Sequence, residues 1–180
     1  MSTYDTIFLD RDGTLNPDPG YISTIDDFNF FPFTIDALKI MSKITDRFCI
    51  ISNQSGISRG LIKEEALLKI HDHIQSSYQE NGLNLLGIYY CPDHPDDASN
   101  DRKPGTGMFE KAAQEHDIDL SKCLMVGDAG SDIEAGDKLE MDTMLVLTGK
   151  GAETVQNLNK DLTPTFVVEN LLVGGELITS

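Results

Sequence analysis

Short apolar runs recur along this chain, and each closes on polar residues or glycine. Between them lie longer stretches whose apolar residues return at helical spacing. The run Ile7-Phe8-Leu9 predicts a buried strand over residues 5–9, and Phe48-Cys49-Ile50-Ile51 a second over 47–52. A third is predicted over 86–90, a fourth on Cys123-Leu124-Met125-Val126, and a fifth over 143–147. Helical spacing appears in Ile35, Leu38 and Met41, predicting a helix over 35–44. It appears again in Leu67, Ile70, Ile74 and Tyr78, predicting one over 63–81, with Glu64 and Glu65 in its first turn and Gly82 as its stop. Residues 108–116 read as another helix, and 154–180 as a helix, the short strand Phe166-Val167-Val168 and a last helix. Strand and helix alternate, so the expected fold is an α/β, Rossmann-like three-layer sandwich with a mostly parallel sheet and its site at the strands' carboxyl ends. The range 1–180 reads as a single domain, without an insertion long enough for a large cap. The connections 16–32 and 91–101 must then shape the entrance to the site. The aromatic residues Phe28, Phe30, Phe31 and Phe33 in and after the first connection read as packing.

Charge narrows the choice of partners. The chain has 180 residues, with 14 basic and 30 acidic side chains and a formal net charge of -16. Nucleic acid and anionic membranes reward basic surfaces, so neither is expected as a partner. A phosphorylated substrate would need a local positive field from a metal ion and a few Arg or Lys side chains. Neither a membrane-length apolar stretch nor a signal-peptide pattern is visible. Cys49, Cys91 and Cys123 are an odd, widely spaced set rather than a disulfide framework. A cytoplasmic monomer is the expectation.

Where the strands end, chemistry-bearing residues gather. Ile7-Phe8-Leu9 runs into Asp10-Arg11-Asp12-Gly13-Thr14. Two carboxylates two residues apart would face the same side of a continuing strand, and they repel unless a cation or a proton lies between them. Asp12 can then be a protonated acid while Asp10 stays an anionic nucleophile or metal ligand. The second strand ends in Ser52-Asn53-Gln54-Ser55-Gly56, which offers donors to a phosphate. Arg102 and Lys103 stand just before a helix start, where free N–H groups add to their charge. The fourth strand closes on Gly127-Asp128, with Asp132 four residues on, and a glycine-rich turn leads into a helix. Asp128 and Asp132 can face one cation together with Asp10; Asp132 equally fits a helix N-terminal charge. His71 and His73 read as packing or solvated residues.

The stretches DRDGTLN, SNQSGISRG, RKPGTG and VGDAGSD, in that order, resemble the haloacid dehalogenase-like phosphatases over about residues 5–149. Gly20-Tyr21 and Tyr89-Tyr90-Cys91-Pro92 add a resemblance to the branch that holds the heptose-1,7-bisphosphate phosphatases and the histidinol-phosphatases. The resemblance implies a Mg²⁺-dependent phosphomonoester hydrolase that works through an aspartyl-phosphate. It implies that Asp10 is the nucleophile and that Asp12 is the acid, then the base. Asp10, Asp128 and the backbone carbonyl of Asp12 would bind the metal. Ser52 and Asn53 would hold phosphate oxygens, Lys103 would neutralise the phosphoryl group, and Arg102 and Arg59 would reach the substrate. A small phosphorylated sugar is the implied partner: a heptose bisphosphate first, histidinol phosphate next. Members of the branch commonly carry a zinc loop, yet here only Cys91 of its four ligand positions remains, so structural zinc is not expected. Ala129 stands where related enzymes often have Lys or Arg. A reading of another class is a catalytically silent phosphosugar-binding protein, and a third is phosphoryl transfer to an acceptor other than water.

Overall fold

In a computed structural model, which describes residues 4–180, strands and helices alternate as the sequence pattern predicts. Residues 1–3 of the expected 1–180 domain lie outside the described residues. The strands are β1 (Ile7–Leu9), β2 (Phe48–Asn53), β3 (Leu85–Cys91), β4 (Leu124–Gly127), β5 (Asp142–Val146) and β6 (Phe166–Val168). The helices are α1 (Thr34–Met41), α2 (Glu64–Glu80), α3 (Gly107–His116), α4 (Gly130–Lys138), α5 (Gly151–Asn157) and α6 (Leu171–Thr179). Element ends move by a few residues from the predicted ones, as hydrogen bonding rather than hydropathy sets them. At the end of α2, for instance, Gly82 takes φ +69 and the Leu83 N–H reaches back 2.9 Å to the Tyr78 carbonyl, satisfying the last turn.

The six strands form one sheet in the order β3-β2-β1-β4-β5-β6, and each pairing is parallel. The chain leaves β1 toward one edge and returns to β4 at β1's other side. The order therefore reverses between β1 and β4, which is where such sheets bind ligands. Leu9 lies opposite Ile50 on one side and Val126 on the other, so β1, β2 and β4 reach the rim together.

Side-chain alternation builds two cores. Ile7 and Leu9 of β1 pack with Ala37, Leu38, Ile70, Ile74 and Leu171, so α1, α2 and α6 cover one face. Phe8 points the other way, into a core with Met108, Phe109, Ala112 and Ala135 of α3 and α4. Of the connection aromatics, Phe28 is buried, and Phe30 and Phe33 pack against the first core. Both faces of the central strands are dry, which explains why their sequences read as continuous apolar runs.

Phe8 is fully buried, with its ring centroid 5.2 Å from that of Phe109. Phe8→Ala should lower unfolding free energy by about 3–5 kcal/mol, measured by urea denaturation with an unchanged slope.

Candidate functional site

Asp10 follows β1 directly, its N–H 2.9 Å from the Val126 carbonyl. The alternation that points Phe8 toward α3 and α4 sends Asp10 to the same face. Lys103, just before α3, meets it there: its Nζ lies 2.8 Å from Asp10 Oδ1 and 2.7 Å from Asp132 Oδ1. The ammonium also donates to the Ile51 carbonyl at 2.7 Å, so all three of its hydrogens have partners. Asp132, in the first turn of α4, also accepts the Ala129 N–H at 3.0 Å through Oδ2. It therefore serves as the helix-end acceptor that its position suggested, and also as a lysine partner, which its position did not.

Asp128 closes β4 beside Asp10. Its Oδ2 accepts the Lys150 N–H at 2.8 Å, and its carbonyl accepts the Thr154 hydroxyl at 2.8 Å. Two glycines make room for the carboxylate. Gly13 (φ +89) and Gly149 (φ +55) both press against it, and a Cβ on either would overlap Asp128 Oδ2. Oxygens of Asp10, Asp128 and Asp132 all lie within 4.8 Å of one another. Burial pushes Asp10 well above the usual carboxylate range, reinforced by Asp132 and Asp128 and opposed by Lys103. Burial and Asp132 push Asp128 up from 3.8 to about 6. The same carboxylates, against the effect of burial, hold the Lys103 ammonium more firmly protonated than a free lysine. One ammonium among three buried carboxylates leaves an excess of negative charge. A hard divalent cation on these oxygens would relieve it, so the donor set fits such an ion.

Asp12 lines the same pocket as Asp10 but keeps different partners, because β1 stops at Leu9 and the chain turns at once. Arg11 clasps Asp12 in two bonds, Nε to Oδ1 and Nη2 to Oδ2, both 2.8 Å. Asn16 adds a donor to Oδ1 and Gln54 one to Oδ2, each at 2.9 Å. Arg11 itself is fully buried, its guanidinium 5.9 Å from the Phe28 ring centroid. Burial alone would raise Asp12, but Arg11 and the amide donors carry it below the usual range. In this cation-free arrangement Asp12 is the more readily ionised of the two acids. Four donors leave Asp12 ionised, while the crowding of carboxylates falls on Asp10. With its side chain so engaged, the contribution of Asp12 to a metal can come only from its main chain. His71, expected to pack, is buried on α2, and burial and Arg11 lower it to about 4, so it stays neutral.

The pocket over this rim has a volume of about 530 Å³. Ser52, Asn53, Arg102 and Lys103 line it, as their positions predicted. Asn53, however, spends its side chain on the Lys103 main chain, giving a bond to the carbonyl (3.0 Å) and taking one from the N–H (2.9 Å). It anchors the lysine's backbone, and its side-chain amide is already engaged. Arg59 is exposed and outside the pocket lining. Gln54, Tyr21 and Lys150 do line it. Lys150 was missed because it follows β5 with no strand-end acid to announce it. Arg102 donates to the Asp93 carbonyl at 3.1 Å. The connection after β3 is further held by Asp93 accepting the Ser99 N–H (2.8 Å) and by His94 Nδ1 accepting the Asp96 N–H (3.2 Å).

A raised carboxylate favours the folded state only while protonated. Cation-free protein should therefore lose stability as pH rises from about 4 through about 6, the window set by Asp128. Asp12, with its lowered value, acts in the opposite sense and only below its ordinary 3.8. Melting temperatures in chelator should fall across that window, and added divalent cation should raise them more at pH 7.5 than at pH 4.5.

Residues 100–173 match the Hydrolase_like family model, described as HAD-hyrolase-like. The chain is 40% identical over 156 residues to the D-glycero-beta-D-manno-heptose-1,7-bisphosphate 7-phosphatase of Photorhabdus laumondii, covering 82% of this chain and 83% of that one. The protein of the same name from Haemophilus influenzae is 42% identical over 152 residues, covering 80% and 82%. Among solved structures, the D,D-heptose 1,7-bisphosphate phosphatase of B. bronchiseptica, complexed with magnesium and phosphate, superposes with a TM-score of 0.86 at 31% identity over 97% of each chain. Identity at this level over most of both chains carries more than fold: the chain belongs to the haloacid dehalogenase-like phosphatases, in the branch of the heptose-1,7-bisphosphate phosphatases.

Proposed function

We propose that this protein is a Mg²⁺-dependent phosphatase that removes the 7-phosphate of D-glycero-D-manno-heptose 1,7-bisphosphate. The convergence of Asp10, Lys103 and Asp128 in one polar pocket supports it most, together with the names of its relatives. Asp10 attacks phosphorus and becomes an aspartyl-phosphate. The heptose oxygen leaves with a proton from Asp12, and Asp12 then takes a proton from the water that splits the intermediate. Asp12 must exchange part of its hydrogen bonding to Arg11, Asn16 or Gln54 for a proton before it acts as an acid. Lys103 spreads positive charge onto the phosphoryl oxygens, and the Ser52 hydroxyl donates to one of them. Asp10, Asp128 and the Asp12 carbonyl would hold Mg²⁺, whose charge offsets the repulsion between a carboxylate and a phosphate.

A bisphosphate brings a second anionic group, which must sit toward the mouth of the pocket. Arg102 and Lys150 line the pocket from the β3 and β5 ends of the rim, on either side of Asp10. They are the cations we assign to that distal phosphate. Arg59 is not assigned to it. The connection after β3 is held by its own hydrogen bonds, and we propose that it needs no zinc.

Four measurements test this. Phosphate release from the heptose bisphosphate should require Mg²⁺ and fall by about 10⁴-fold or more in Asp10→Asn, since the covalent route is lost. Catalytic efficiency on that substrate should exceed that on histidinol phosphate and simple sugar monophosphates; equal rates would remove the heptose assignment. Lys150→Ala and Arg102→Ala should each raise KM on the bisphosphate about tenfold, with a smaller change on a monophosphate. A zinc-selective chelator should leave the melting temperature unchanged.

A further inference from the structure

Gln54 is buried, and its main chain is pinned by a 2.7 Å bond from its N–H to the Cys91 carbonyl. Its side-chain nitrogen makes two contacts: 2.9 Å to Asp12 Oδ2 and 2.8 Å to Ser52 Oγ. An amide nitrogen carries two hydrogens, so both are spent, one on each partner. The orientation of the amide follows from its neighbours. Asp12, ionised beside Arg11, only accepts, so the amide nitrogen rather than its oxygen must face it. Ser52 Oγ then accepts from Gln54, and its single proton is directed to another acceptor. Ser52 and Gln54 both line the pocket with Asp10 and Lys103.

From this geometry we infer that Gln54 is a positioning residue that couples the two halves of the site. It aims the Asp12 carboxyl, and it sets the Ser52 hydroxyl as a donor toward the phosphoryl group. The inference rests on the assignment of Asp12 as acid and base made above. Gln54 is rigid enough for this task because β2 and β3 end beside it, and it shares Asp12 Oδ2 with Arg11 while Asn16 and Arg11 hold Oδ1. Removing the amide would leave Asp12 held by Arg11 alone on Oδ2 and turn it away from the phosphate donor.

The discriminating readout is the leaving group. An alkoxide leaves poorly without a proton, whereas 4-nitrophenolate leaves well without one. The ratio kcat/KM stops at the first irreversible step, loss of the leaving group, so it isolates that proton transfer. In Gln54→Met, which keeps the length but donates nothing, kcat/KM should fall about 100-fold on an alkyl phosphate. The fall on 4-nitrophenyl phosphate should be at least about tenfold smaller. Gln54→Glu, which replaces both hydrogens with an acceptor, should show the same selective loss whether or not Gln54→Met folds. Equal losses on both esters would mean that Gln54 only holds phosphate, and no loss in either variant would mean that the amide is idle; both results overturn the inference. Asp12→Asn is run alongside. If it lacks the leaving-group selectivity that Gln54→Met shows, the assignment of Asp12 fails and the inference goes with it. If Asp12→Asn is selective and the Gln54 variants are not, the coupling alone fails.

Discussion

One buried ammonium faces three buried carboxylates at the carboxyl edge of this sheet, and that imbalance constrains everything around it. Lys103 satisfies Asp10 and Asp132 directly, yet Asp128 remains close to both. Such a cluster is expensive to desolvate without more positive charge. The fold accommodates it by leaving the rim open to a polar pocket, by lending Asp128 a backbone N–H, and by keeping glycine at the two positions that touch its carboxylate. The strain of the metal-free cluster and the capacity to bind a cation are one physical fact.

The two acids of the first motif divide their labour because the strand stops between Leu9 and Asp10. Asp10 inherits the strand's alternation and meets Lys103 and Asp132 above α3 and α4. Asp12 follows the turn and is met there by Arg11, which is buried over Phe28. Nearly identical side chains two residues apart thus experience opposite fields. Burial, reinforced by carboxylates, presses one toward protonation, and a guanidinium draws the other toward ionisation. These are the fields of the cation-free site; a divalent cation on Asp10 and Asp128 would draw Asp10 back toward ionisation.

Much of this was legible in the chain. The apolar runs announced all six strands, and polar residues at the ends of the central ones announced the rim, because burial leaves few reasons for Asp10, Ser52 or Asp128 to stand there. What a linear reading could not see is which side chains consume one another. Asn53 stood in a run of phosphate donors, but its amide closes on the main chain of Lys103, fifty residues away. Arg11 sat in plain view between two acids, and its burial depends on Phe28 arriving from the long connection. Lys150 lies beyond a strand that ends without an acid, so only the sheet order brings it to the pocket. Asp132 fits a helix-end charge, and the geometry adds an ion pair with Lys103 that the sequence did not announce.

The overall charge of -16 gives the local arrangement its logic. An acidic surface repels a sugar bisphosphate at long range, so recognition must come from charges that act at contact. At physiological ionic strength the screening length is about 8 Å, which is comparable to the pocket rather than to the molecule. Lys103 is shielded from solvent, so salt screens its charge little, although Asp10 and Asp132 oppose it, whereas the exposed acids of the surface are largely screened from the pocket. Arg102 and Lys150 extend the same short-range field to the mouth of the pocket. An anionic ligand would then be held by how many of these contacts it makes at once, and not by attraction to the protein as a whole.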